Sequence, residues 1–207
     1  MISYIYPDNP QERNIRMAVD ILRKGGVIIY PTDTVYALGC DIYNADAITR
    51  ICRIKNLDPK KAQFTFVCND LSHLSQYSKA MDTPVFRMLK RALPGPYTFI
   101  LEASKQVPKN LKTKKDTVGI RVPDNLITQL LVKELGHPIM SVSLPMEGLD
   151  QEYYTDPEWI HEKYQKLVDL VIDSGVGGVS VSTIIDCTSG IPELIREGAG
   201  EWESLLA

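Results

Sequence analysis

The chain has 207 residues and a mass of 23.3 kDa, with 44% hydrophobic and 24% charged residues, the proportions of one medium-sized globular domain with a full core. No apolar run approaches the roughly 20 residues of a membrane span, and no secretory signal pattern opens the chain, so a cytoplasmic protein is expected. The net charge of -3 conceals an asymmetry: residues 1–121 carry 19 Lys and Arg against 11 Asp and Glu, while residues 122–207 carry 4 against 15.

Asn9-Pro10 predicts an N-cap and first helical residue, and Ile15, Ala18, Val19 and Leu22 mark one face of the helix that follows, with Gly25 as its stop. Val27-Ile28-Ile29 predicts a buried strand over 27–31 that runs into Tyr30-Pro-Thr-Asp-Thr-Val-Tyr-Ala-Leu-Gly39. Two readings of that stretch stand side by side. Its threonines and aspartate can cap the turns of a loop, or they can hold a small ligand at the carboxyl end of a strand in an open α/β sheet.

Asn44 predicts the cap of a second helix carrying Ile48, Ile51 and Cys52, and Phe64–Cys68 a strand. Asp70 opens a short helix, and Thr83-Pro84 another with Val85, Met88, Leu89 and Ala92 on one face. Strands are predicted over 97–102 and 118–122, then a helix with Ile127, Leu130, Leu131 and Leu135 that ends at Gly136, then a strand over 138–143. A loop over 144–155 precedes a helix from Asp156-Pro157, the loop Gly175–Gly178, and strands over 168–173, 182–187 and 192–196. Strands alternating with helices, with late strands in succession, predict a mixed, twisted α/β sheet.

Cys40, Cys52, Cys68 and Cys187 form no Cys-x-x-Cys pair and stand apart from His73, His137 and His161. Reduced, buried thiols and no metal site are expected. The chain also lacks a phosphate loop, a dinucleotide fingerprint and a nucleophile elbow. Instead, polar residues recur at predicted strand and helix ends: Thr32 and Thr34, Lys55, Arg121, Ser141 and Ser143, Ser182 and Thr183, and Arg196. Ser141 and Ser143 alternate along one strand and share a face. Lys55 also suits the C-terminus of a helix. Arg121 stands in the apolar run Val118-Gly-Ile-Arg-Val-Pro123, where a buried guanidinium needs an anionic partner, either a ligand or a structural carboxylate. Residues 50–121 hold 15 basic against 5 acidic side chains, a phosphate-binding footprint or a set of solvated helix faces.

Five runs in order resemble the YrdC/YciO family, with the nearest likeness to its YciO branch. They are Tyr30–Gly39, Pro94-Gly-Pro-Tyr-Thr-Phe-Ile-Leu101, Val118–Pro123, Ser182-Thr-Ile-Ile-Asp186 and Arg196-Glu-Gly198. The resemblance implies a single YrdC-like domain over residues 1–207, an α/β fold with a twisted mixed open sheet, flanking helices and a large concave, positively charged cavity. It implies an activity that condenses threonine, bicarbonate and ATP into threonylcarbamoyl-adenylate for the threonylcarbamoyladenosine modification of tRNA, with Mg²⁺ accompanying ATP. By the same resemblance Thr32 and Ser182 hold threonine. Lys55, Ser143 and Arg196 hold nucleotide phosphates, and Arg121 neutralises phosphate or carboxylate. Thr34, Ser141 and Thr183 support them.

Two family motifs differ here. The Lys-x-Arg motif is Lys55-Asn56-Leu57, and the Ser-x-Asn motif is Ser143-Leu144-Pro145. Leu57 cannot donate to phosphate, and Pro145 offers neither a side-chain amide nor a backbone N–H. Three activities follow from this pattern. The first is a synthase in which another cation such as Lys60 or Lys61 replaces the missing arginine. The second is a relative that hydrolyses a threonylcarbamoyl group, and the third a module that binds tRNA or double-stranded RNA through its basic segment.

Overall fold

In a computed structural model of the chain, residues 1–58, 64–111, 116–144 and 154–206 are described. Lys60, Lys61, Pro145 and most of the predicted 144–155 loop lie outside them. The elements in order are β1 (Ile2–Tyr4), α1 (Glu12–Arg23), β2 (Ile28–Tyr30), β3 (Ala37–Asp41), α2 (Ala45–Ile54), β4 (Thr65–Val67), α3 (Leu71–Tyr77), α4 (Thr83–Ala92) and β5 (Tyr97–Glu102). They continue with β6 (Thr117–Arg121), α5 (Leu126–Leu135), β7 (Ile139–Ser143), α6 (Pro157–Tyr164), β8 (Leu170–Asp173), β9 (Thr183–Asp186), β10 (Glu193–Arg196) and α7 (Glu203–Leu206).

Most helix boundaries follow their capping chemistry. The side chains of Asn44, Asp70, Asn125 and Asp156 each accept a backbone N–H in the first turn of the helix they open. Gly136, at φ +87°, ends α5 in the left-handed conformation glycine favours. The start of α1 is a correction. Gln11, not Asn9, contributes the first helical carbonyl, which accepts from Ile15 N at 3.1 Å, so Pro10 precedes the helix rather than opening it.

The strands form one ten-stranded sheet in the order β1-β8-β2-β3-β7-β4-β6-β5-β9-β10. The pairs β1/β8, β8/β2, β4/β6 and β5/β9 are parallel and the others antiparallel. The mixed sheet flanked by helices is therefore as the sequence predicts, with two strands added. β1 is a three-residue edge strand paired with a segment far along the chain. β3 occupies Ala37–Asp41, where the sequence predicts a continuing loop, and it runs back along β2 before pairing with β7.

The two faces of the sheet are unequal. One face carries Leu38, Cys40, Met140, Phe66, Ile120, Phe99 and Ile185 into the main core, with Ile48 and Ile51 of α2 and Val85 and Leu89 of α4. The opposite face is covered on one half only. Ile28, Tyr30, Leu170 and Ile172 pack there against Ile15, Val19 and Leu22 of α1 and Ile127, Leu131 and Leu135 of α5, and the cluster reaches no further than Ile139 and Val67. Beyond it the register sets Gly39, Ser141, Thr65 and Gly119 side by side across four strands. The Tyr30 ring lies over Gly39, whereas Ser141, Thr65 and Gly119 carry only small side chains or none, and they form a bare floor on this face.

Gly39 is required at its place in that row. A Cβ there would lie 2.6 Å from Tyr30 Cε1 and 2.7 Å from Ile139 Cγ2. Gly39→Ala should therefore destabilise the fold by about 1–3 kcal/mol through overpacking, read as a lower midpoint in urea denaturation with an unchanged slope.

Candidate functional site

Of the polar residues singled out in the sequence, Thr32, Thr34 and Arg121 are joined in one hydrogen-bonded network. Pro31–Tyr36 link β2 to β3, and this loop is pinned on one side by Thr128 Oγ1 of α5, which donates to Pro31 O at 2.6 Å. On another side Gly178 N donates to Thr34 O at 2.8 Å, and a Cβ on Gly178 would lie 2.4 Å from that oxygen. Gly178 is thus needed because it presses on the Thr34 backbone, and Gly177 because a Cβ there would lie 2.7 Å from the Tyr36 ring. Within the loop, Thr32 Oγ1 donates to Val35 O at 2.8 Å, accepts from Thr34 N at 3.1 Å, and lies 3.1 Å from Thr34 Oγ1. Its hydroxyl holds the turn, as the first reading of this stretch expects.

Arg121, at the end of β6, reaches into the same loop. Its Nη2 donates to Asp33 Oδ1 and, at 2.9 Å, to Thr34 Oγ1. The side chains of Arg121 and Asp33 are only 8% and 10% exposed, so the buried guanidinium has the structural carboxylate the sequence called for. The pair is joined by one prong alone. Arg121 Nε and Asp33 Oδ2 are buried and have no hydrogen-bond partner among the described residues, whereas Arg–carboxylate pairs commonly use both prongs. Each such orphan costs about 1–3 kcal/mol.

Ser182 and Arg196 stand beside this pair. Ser182 Oγ and Thr98 Oγ1 of β5 share a hydrogen bond of 2.9 Å, and both residues are buried. Arg196 at the end of β10 donates to Ser182 O through Nη2 at 2.8 Å and Nε at 3.3 Å. Partial burial lowers the Arg196 pKa, and the positive charge of Arg121 lowers it further. Two guanidinium groups thus repel each other across the Ser182 region, and among the described residues no salt bridge joins Arg196 to a carboxylate.

Thr183 serves the fold instead. Its hydroxyl donates to Gly200 O and accepts from Gly198 N at 2.8 Å and Gly200 N at 3.1 Å, which uses its one proton and both lone pairs. Lys55 and Ser143 form a second group at the end of β7. Lys55 Nζ donates to Ser143 O at 2.9 Å, and Leu144 N donates to Tyr36 O at 3.1 Å.

Lys55, Asn56 and Leu57 close α2. Asn56 adopts φ +51°, Asn56 N donates to Arg53 O at 3.2 Å and Leu57 N to Cys52 O at 2.8 Å, the paired bonds of a Schellman cap. Leu57 therefore occupies the position after the left-handed residue, where apolar side chains are common, and it is 37% exposed. Sequence reasoning gave no role to Tyr30 or Thr98, and it read Asp33 only as a turn cap or a ligand contact, not as the partner of Arg121. All three stand in the quoted runs, and the contact of Tyr30 with Ser141 became visible only through the sheet register.

Residues 20–198 match the Sua5/YciO/YrdC family model, described as telomere recombination. YciO of Escherichia coli K12 is 48% identical over 204 residues, covering 98% of each chain. The chain belongs to the Sua5/YciO/YrdC family. The crystal structure of E. coli YciO superposes with a TM-score of 0.90 over 97% of each chain. A threonylcarbamoyl-AMP synthase of Coxiella burnetii is 34% identical over 185 residues, covering 89% of this chain and 97% of that one. Pyrococcus abyssi Sua5, solved with L-threonine, gives a TM-score of 0.88 at 28% identity and covers 99% of this chain but 59% of its own. Among the described residues no helix is long and apolar enough to cross a membrane.

The Arg121–Asp33 pair makes a testable claim about this family member. Either Arg121→Ala or Asp33→Ala alone should cost about 3–5 kcal/mol, because each strands a buried charge. The double variant should recover much of that loss. Urea denaturation of the two single variants and the double one measures the coupling.

Proposed function

We propose that this chain is a threonylcarbamoyl-AMP synthase-like protein, which binds threonine, bicarbonate and ATP on the bare half of its sheet. The observation that carries the reading is the buried Arg121, only half satisfied by Asp33, with a second guanidinium, Arg196, on the Ser182 carbonyl and near enough to repel it. An anion between them relieves the repulsion, and the water-poor floor strengthens the attraction. An α-amino acid fits the orphans, with its carboxylate toward Arg121 and its ammonium toward Asp33. The Ser182–Thr98 hydroxyl pair then meets its remaining polar atoms. Thr32 and Thr34 hold the loop that supplies Asp33.

In this reading Lys55, Ser143 and Arg196 hold the nucleotide phosphates, Lys55 and Arg196 through their positive charge. Mg²⁺ enters with ATP. Such a cation is held by phosphate oxygens and water. The synthase relatives and the Sua5 structure with L-threonine support the substrate class.

The purified chain, incubated with ATP, Mg²⁺, threonine and bicarbonate, is expected to yield threonylcarbamoyl-AMP and pyrophosphate by mass spectrometry. Formation should require both threonine and bicarbonate. Arg196→Ala should lower kcat/KM roughly 10- to 100-fold, the scale of a lost charged hydrogen bond. No product from folded wild-type protein would contradict the synthase.

Leu57 favours a second reading. An exposed isobutyl group stands where the family motif places a guanidinium, which suits a relative that hydrolyses a threonylcarbamoyl group or binds tRNA or double-stranded RNA. For the RNA arm, Arg87, Lys90 and Arg91 of α4 line one surface hollow with Pro84. The two readings part on Leu57→Arg. If ATP binds beside α2, this variant should tighten ATP binding about 10-fold or more, measured by calorimetry. Unchanged affinity would place the nucleotide elsewhere or nowhere.

A further inference from the structure

Tyr30 ends β2 and is fully buried. Its ring crosses β3 at Gly39, where no side chain stands in the way, and its hydroxyl donates to Ser141 Oγ on β7 at 2.7 Å. Ser141 is the register partner of both Gly39 and Thr65, so it lies in the row of small residues that makes the floor. A serine hydroxyl has one proton and two lone pairs. The Tyr30 bond takes a lone pair, and no acceptor among the described residues receives the Ser141 proton.

We propose that Tyr30 is a positioning residue, which fixes the Ser141 hydroxyl so that its proton is offered to an anionic or carbonyl oxygen of the substrate on the floor. The choice of ligand atom rests on the substrate site described under Proposed function; the direction of the two protons does not. Burial pushes the Tyr30 phenol up, only partly opposed by the Ser141 hydrogen bond and the Arg121 charge, so the phenol keeps the proton it donates. A phenylalanine at this position would fill the same space and leave Ser141 free to turn toward a strand carbonyl.

Two measurements test this separately. Neutron diffraction from deuterated crystals needs no ligand. It should place the Tyr30 deuteron on Ser141 Oγ and the Ser141 deuteron toward the open face; a Ser141 deuteron directed at Tyr30 or at a strand carbonyl overturns the proposal. Calorimetric threonine binding by Tyr30→Phe, Ser141→Ala and the double variant reads the consequence. Each single change should weaken binding roughly 3- to 10-fold, and the double should be no weaker than Ser141→Ala alone. Additive losses, or a Tyr30→Phe variant with a lower melting temperature and unchanged binding, overturn it. If the wild-type chain binds no threonine, the substrate reading falls, and the neutron result alone decides the role of Tyr30.

Discussion

The arrangement depends on a sheet whose second face is only half covered. Helices α1 and α5 bury Ile28, Tyr30, Leu170 and Ile172 but reach no further than Ile139 and Val67. The other half keeps its stability from the opposite face, where Phe66, Phe99, Ile120 and Met140 lie in the main core. The strands there can therefore present Ser141, Thr65 and Gly119 upward without weakening the fold, since the apolar burial that holds the sheet together lies beneath. Strand alternation makes this division possible: one residue of each pair packs and its neighbour faces the floor.

Charge then follows from geometry. Arg121 shares the floor's face because it is two residues beyond Gly119 on β6. Its burial is made tolerable by Asp33, which the β2–β3 loop brings over the sheet. That loop is held by Thr128, Gly178 and its own threonines. Arg196 arrives from the opposite side on β10, near enough to Arg121 for like charges to repel. One face is packed and the polar face is under-satisfied, a combination expected of a site preorganised for an anionic ligand.

Helix positions were legible because their signals are local. Asn44, Asp70, Asn125 and Asp156 sit at caps, and apolar residues recur at helical spacing. Strand β3 was not legible. Ala-Leu-Gly-Cys-Asp has little β-branched character, and its pairing with β2 and β7 is a tertiary decision. Arg121 was legible as a buried cation in need of an anion, but the identity of that anion, Asp33, needed the loop's fold. Thr183 read as a supporting polar residue because it begins a strand beside Ser182; the turn at Gly198 and Gly200 that saturates its hydroxyl is invisible in the sequence. Tyr30 was hidden for a similar reason, since its partner lies two strands away.

The departures from the family pattern also acquire a physical setting. Leu57 completes the cap of α2, so the helix loses nothing by the exchange and only a ligand would notice it. In the proposed reading the amino-acid and nucleotide ends stand on different footing, the first built from Arg121, Asp33, Ser182 and Thr98 and the second resting on Lys55 and Ser143 with Arg196 reaching in from Ser182. A crystal structure of the chain soaked with threonine tests the central claim most directly. The account predicts threonine above the Ser141–Gly119 floor with its carboxylate on Arg121; threonine bound elsewhere, with the Arg121–Asp33 pair and the floor untouched, would contradict it.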